Sequence, residues 1–290
     1  MGTVEQAVTI NIVDGGQTIE ITPDSGTWQI GATHTVTLSD TIESDTGSTL
    51  RNPLTYTFKT LDTASLVGWW EFDNSLADLS GNGNTIDTNQ GVTFANDPTL
   101  HRSGTHAAYF DGSSYMVLND VNFDLGDKFA VAFWVYIPTL RSNINTILAN
   151  ASANEATSGF KIGVNNWLQL DGGVILEGGN GAQGGKARTG PNFVQDGQWY
   201  HFAYNVDTTA DLPNGRHVQI FFNGAEATVN YDGGSTGPMG SMDWTLMKTT
   251  GPLYFGAMVG GSYRLNGAYI DDLRIYNRSL TDAEVLNIAR

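Results

Sequence analysis

The run from Phe129 to Ile137, FAVAFWVYI, limits what this chain can become more than any other stretch of it. Read with a two-residue period, Phe129, Val131, Phe133, Val135 and Ile137 share one face, and Trp134 and Tyr136 share the other. A strand apolar on both faces does not sit half in water, so this one is expected to be buried between two sheets. The stretches 198–206 (QWYHFAYNV), 217–222 (HVQIFF) and 252–256 (PLYFG) follow the same pattern. Asn223-Gly224 closes the second of these with a tight-turn signal. The expected fold class is all-β, a two-sheet sandwich.

Composition narrows the functional classes. With 40% hydrophobic residues, 11% aromatic and only 15% charged, the 290-residue chain has the material for a large core, and its 35 glycines suit many short strands joined by turns. Thirty acidic against 14 basic residues leave a formal charge of −16, so no nucleic-acid partner is expected, because phosphate neutralisation needs a basic footprint. The absence of cysteine removes disulfides and thiolate sites. No apolar run reaches the roughly 18 residues of a membrane span, so no membrane insertion is expected. The start, Met1-Gly2-Thr3-Val4-Glu5, carries neither a basic nor an apolar leader region, and the expectation is a monomeric module of a longer secreted or surface protein.

Two regions separate near residues 62–65. Residues 1–63 hold four short alternating runs, at 8–12, 18–22, 34–38 and 54–58, with Asp14-Gly15-Gly16 as a hairpin signal between the first two. This stretch resembles the C-terminal half of bacterial Ig-like domains, which makes it a partial Ig-like β domain. Residues 66–290 are the main domain. At its end, Thr281 followed by Glu284 forms a capping box before one short C-terminal helix, with Leu280 and Val285 placed as a hydrophobic staple.

The main domain resembles the LamG-like jelly-roll family of the concanavalin A-like lectin/glucanase superfamily. The resemblance rests on six pieces in order: Leu66–Asp73, Asp78–Gly83, Ala108–Gly112, Phe129–Pro138, Asp196–His201 and Leu265–Leu280. It implies a two-sheet jelly roll that binds carbohydrate or protein outside the cell, often with calcium and seldom as an enzyme.

Calcium is the expected cofactor, in a structural role. Asp78, Ser80 and Asn82 space oxygen-bearing side chains as calcium loops do, although the same residues can instead stabilise a turn through local hydrogen bonds. The resemblance adds Glu71 or Asp73, the backbone oxygen of Gly112, and Asp271 as ligands. For sugar binding, the candidates are Trp167, Trp244, Tyr231, Tyr263 and Asp243, aromatics in glycine-flanked or loop-like contexts with a nearby carboxylate. Either tryptophan can equally be a packing residue. Trp70, Trp134 and Trp199 are expected in the core, and His201 as a strand residue with a local partner.

Catalytic patterns fail on context. Residues 233–237 match G-x-S-x-G and residues 179–184 match G-x-G-x-x-G, but neither lies between a strand and a helix. The E-x-D-x-x-E strand of superfamily glucanases has no counterpart on strands 129–137, 199–206 or 217–222. The expectation is therefore a non-catalytic, calcium-stabilised, extracellular carbohydrate-binding module whose partner is a polysaccharide or other glycan. The alternative is a protein-interaction or adhesion segment of a bacterial surface adhesin that binds a surface protein, and a polysaccharide-active enzyme ranks third.

Overall fold

A computed structural model describes residues 7–13, 18–24, 28, 33–44, 46–49, 52–59, 63–120, 124–140, 145–151, 159–165, 173–178, 185–189, 193–233, 244–247 and 250–290. The chain divides into two compact units, Met1–Ala64 and Ser65–Arg290.

The first unit holds β1 (Val8–Val13), β2 (Thr18–Pro23), β3 (Thr33–Leu38) and β4 (Leu54–Lys59). They pair as two separate antiparallel hairpins, β1 with β2 and β3 with β4. The Ig-like expectation finds no support here. Among the described residues of this unit, the two hairpins leave Ile10, Ile12, Leu54 and Tyr56 exposed.

The second unit begins with β5 (Leu66–Trp70), β6 (Thr88–Gln90), β7 (Thr93–Ala95), β8 (Ala107–Asp111), β9 (Tyr115–Leu118), β10 (Lys128–Tyr136), β11 (Asn145–Ala149) and β12 (Phe160–Asn165). It continues with β13 (Gly173–Gly178), β14 (Gly185–Thr189), β15 (Trp199–Asp207), β16 (Val218–Phe222), β17 (Ala225–Glu226), β18 (Val229–Gly233), β19 (Leu253–Phe255), β20 (Asn266–Tyr276) and the helix α1 (Asp282–Ile288). Two eight-stranded sheets result. One runs β17-β16-β15-β10-β20-β8-β7, with β5 also on β20; the other runs β18-β14-β13-β12-β11-β19-β9-β6. The domain is a β-sandwich jelly roll.

The core lies between the sheets and joins Trp70, Phe133, Phe202 and Tyr204 of the first to Phe160, Leu176 and Phe255 of the second. Each such side chain contributes about 1.5–3 kcal/mol through burial. The alternation along β10 is as expected, with Phe129, Val131, Phe133 and Val135 in the core. Among the described residues of this unit, no second sheet covers its outer face. Small Ala130 and Ala132 leave room there, and the segment between β7 and β8 lies over Trp134.

Two local details set the geometry. Asp272 takes a positive φ of 48° at a bulge where Ala132 and Trp134 face Arg274 and Asp271. This extra residue resets the phase of β20, so that Ile270 and Leu273 both point inward while Tyr269, Asp271 and Arg274 face out. Gly256, at φ 76°, lies so close to the Phe110 ring that a Cβ there would fall 2.2 Å from it. The capping box of α1 forms as read from the sequence, Thr281 accepting from the Glu284 N–H and Glu284 accepting from the Thr281 N–H. Asn223-Gly224 is the positive-φ turn between β16 and β17.

Candidate ligand-binding surface

The outer face of the first sheet carries four aromatic side chains in one row. Tyr109 on β8 faces Tyr269 on β20, Tyr269 faces Tyr136 on β10, and Tyr136 faces Trp199 on β15. Their ring centroids stand 4.7, 5.9 and 5.5 Å apart along the row. Adjacent strands lie about 4.8 Å apart, so the register itself sets this spacing. All four residues are half-buried, which keeps their rings at the surface although none lies in a loop.

The segment 96–106 borders the row and is pinned across the sheet. The Trp199 indole N–H donates to the Thr99 carbonyl at 3.2 Å. The backbone N–H groups of Arg102 and Ser103 donate to Asp271 Oδ2 at 2.5 and 2.8 Å, and the Arg102 guanidinium lies 4.5 Å above the Trp134 ring. Asp73 Oδ1 accepts from the Thr105 and His106 N–H groups at 2.6 and 2.8 Å. Gly104 fits because any Cβ there would strike the Asp73 carboxylate.

This border supplies polar chemistry. The Thr99 hydroxyl and N–H hold the Asp97 carboxyl below its ordinary range, so Asp97 is an anionic acceptor at neutral pH. Burial, followed by the neighbouring Tyr109 and Tyr136 and by Asp97, pushes the Tyr269 hydroxyl up, so it stays a neutral donor. Ring faces beside fixed donors and an anionic acceptor suit a ligand that has both apolar faces and hydroxyl edges.

The residues singled out in the sequence fall elsewhere. Trp167 and Asp243 lie outside the described residues, as do the two glycine-rich motif loops in large part. Tyr231 stands on β18 opposite Ala187. Trp244 is only 5% exposed and stacks on His217 at 5.0 Å, so it packs rather than presents a face. Tyr263 is 43% exposed and holds a positive φ of 48°. Trp70 is in the core, but Trp134 and Trp199 lie on the outer face, and Trp199 belongs to the row. His201 is fully buried with neither ring nitrogen hydrogen-bonded, its ring edge-on to Trp134.

Three of the expected calcium ligands, Asp73, Asp78 and Asp271, accept hydrogen bonds from nearby backbone N–H groups. Both oxygens of Asp78 are taken within its own loop, Oδ1 by the Trp69 and Ser80 N–H groups and Oδ2 by the Ser80 hydroxyl and the Asn84 N–H. That is the local turn role. Gly112 packs against Asn266, and Asp73 and Asp271 each clamp the 102–106 segment. Burial, then Asp272 and Asp73, raises the pKa of Glu71. Asp271 Oδ1 is buried without a partner, yet among the described residues no three acidic or histidine side chains stand close enough to share an ion.

The profile of the concanavalin A-like lectin/glucanases superfamily matches residues 110–286. The chain belongs to that superfamily. No curated protein matches the sequence. Among solved structures, domain 4 of an extracellular arabinanase from Geobacillus stearothermophilus, in complex with arabinotriose, is similar at 22% identity and a TM-score of 0.52, covering 78% of this chain and 98% of that one. The binding domain of Paraclostridial Mosquitocidal Protein 1 is similar at 18% identity and a TM-score of 0.57, over 78% of this chain and 52% of that one. The binding domain of botulinum neurotoxin DC, in complex with rat synaptotagmin II, follows at 14% identity and a TM-score of 0.53, over 78% and 51%. The chain thus spans about half of the toxin domains it matches. At these identities the likeness is one of fold. None of the four residues of the row stands out in the sequence alone, since each is an ordinary strand aromatic until the strand order is known.

Proposed function

We propose that the second unit is a non-catalytic, extracellular glycan-binding module that holds a neutral polysaccharide along the row Tyr109–Tyr269–Tyr136–Trp199. The observation that supports this reading is the row itself, four half-exposed rings in register across four strands beside Asp97. A sugar in a chain offers a C–H face for stacking and hydroxyls at its rim, and its length is close to one strand spacing. The solved arabinanase domain in complex with arabinotriose is in keeping with this choice of ligand. A protein receptor is the second reading, favoured by the toxin binding domains. It is the weaker one, because the exposed large hydrophobics described in this unit, Leu79, Tyr263 and Leu286, sit on three different segments rather than in one patch.

The test is binding of the full chain to immobilised neutral polysaccharides, with Tyr136→Ala and Trp199→Ala beside the wild type. Loss of one ring weakens binding about tenfold or more, equivalent to about 1.4 kcal/mol, while far-ultraviolet circular dichroism stays unchanged. Equal binding by both variants, or turnover of any polysaccharide by the purified chain, overturns the proposal.

A further inference from the structure

The opposite side of the sandwich carries a second, differently charged arrangement. On the second sheet, Met116 and Phe255 point into the core, so Tyr115 on β9 and Tyr254 on β19 face outward. Their rings are parallel within 21° at 5.9 Å, and both are half-buried. The segment between β19 and β20 folds back onto this face as a closed loop. Met258 and Ser262 form a bridge across it, and the Leu265 N–H donates to the Gly256 carbonyl at 2.8 Å. Met258 packs on Ala149 and Ala151, which anchors the loop to β11.

This loop delivers Arg264. Its Nε donates to the Gly261 carbonyl at 2.7 Å and its Nη1 to the Ser113 carbonyl at 2.9 Å, which fixes the guanidinium 5.3 Å from the Tyr115 ring centroid. A guanidinium has five N–H donors, and these bonds use two of them. Several other cations of this unit face carboxylates, Arg216 meeting Glu226, Arg274 meeting Asp272, Arg278 meeting Glu284 and Lys128 meeting Asp207 and Asp211, while Arg102 lies over the Trp134 ring and Lys161 over the Tyr263 ring. Arg264 makes no ion pair with a described carboxylate, in a chain whose net charge is −16. The adjacent Tyr263 is held in the left-handed region with its side chain 43% exposed, a strained conformation for an aromatic residue that persists only where the loop imposes it.

We infer that Tyr115, Tyr254 and Arg264 form a second binding site, distinct from the aromatic row, for a carboxylate-bearing sugar such as a uronic-acid residue of a polysaccharide. The paired rings receive the sugar face. The free edge of the guanidinium takes the carboxylate through paired N–H donors, the geometry that arginine supplies and lysine does not. An immobilised planar cation without a carboxylate of its own needs little ordering to accept one, which favours binding through preorganisation. The two sites lie on outer faces of different sheets, so a module with both can hold two chains of different charge.

The test is titration calorimetry of the full chain with an oligogalacturonate and with the neutral galactose oligomer of the same length. The wild type prefers the uronide by tenfold or more, and the preference shrinks as salt rises. Arg264→Ala and Arg264→Lys both lose it, the lysine variant because it keeps charge without the fork, and Tyr254→Ala weakens it. Trp199→Ala leaves uronide binding intact, which separates this site from the aromatic row. Equal affinity for the two oligomers, or undiminished uronide binding by Arg264→Ala, overturns the inference.

Discussion

The side-chain amide of Asn205 and the backbone of Leu280 exchange two hydrogen bonds, Nδ2 donating to the Leu280 carbonyl and the Leu280 N–H donating to Oδ1, each 2.8 Å long. Both residues are buried. Through this one contact the outer face of β15 holds the approach to α1. Asn205→Ala leaves a backbone donor and a backbone acceptor buried without partners, at roughly 2–3 kcal/mol. For a domain of this size that lowers the melting temperature by about 5–10 °C. An unchanged thermal transition would show that the C-terminal segment is held by other means.

Gly256→Ala meets two obstacles together, the Phe110 ring and a positive φ. Overpacking and left-handed strain add to about 3 kcal/mol. Denaturant unfolding is expected to show a lower midpoint at unchanged slope. A midpoint equal to the wild type would mean that Phe110 can move aside freely.

Asp271 and His201 flank Trp134 on either side and titrate in opposite senses. Burial, against the backbone N–H bonds of Ser103 and Arg102, pushes the Asp271 carboxyl up to about 7. Burial, then the Arg274 charge, holds His201 down at about 3. Between about pH 4 and 7 the folded protein keeps a proton on Asp271 that the unfolded chain has released, so this residue lowers stability as pH rises. Between about pH 6.5 and 3 the unfolded chain protonates His201 while the folded protein does not, so this residue lowers stability as pH falls. Asp271→Asn is therefore expected to gain stability relative to wild type as pH rises from 4 to 7, and His201→Leu as pH falls from 6.5 to 3. Urea melts at several pH values check both; parallel curves for wild type and variants contradict the assignment.

Chelation with EDTA is expected to leave the melting temperature of the second unit unshifted, because both oxygens of Asp78 accept from its own loop and Asp73 and Asp271 already accept from backbone N–H groups of the 102–106 segment. A calcium-dependent rise of several degrees would instead show an ion stabilising the folded state by mass action.

What could be read from residues in order was whatever depends on near neighbours along the chain. The core phase of β10, the Asn223-Gly224 turn and the Thr281–Glu284 cap are local patterns, and all appear in the structure. The jelly roll itself was legible through the resemblance of six ordered pieces to the LamG-like family rather than through any local period. Trp199 shows where this stops. It is as apolar as its neighbours, and nothing in its segment says that its strand places it on an outer face beside Tyr136. The loop-borne aromatics chosen from sequence include Trp244, which is buried.

The sequence by itself determined that this chain makes strands, which face of each is apolar, and where a turn or cap must fall, because those properties repeat over two to four residues. Tertiary structure alone decided that Tyr109, Tyr269, Tyr136 and Trp199 stand in one row, that one extra residue at Asp272 resets the phase of β20, and that a loop sets Arg264 beside Tyr115. The reason is physical. Cross-strand neighbours come from register and strand order, and residues 109, 136, 199 and 269 have no relation along the chain until the sheet aligns them.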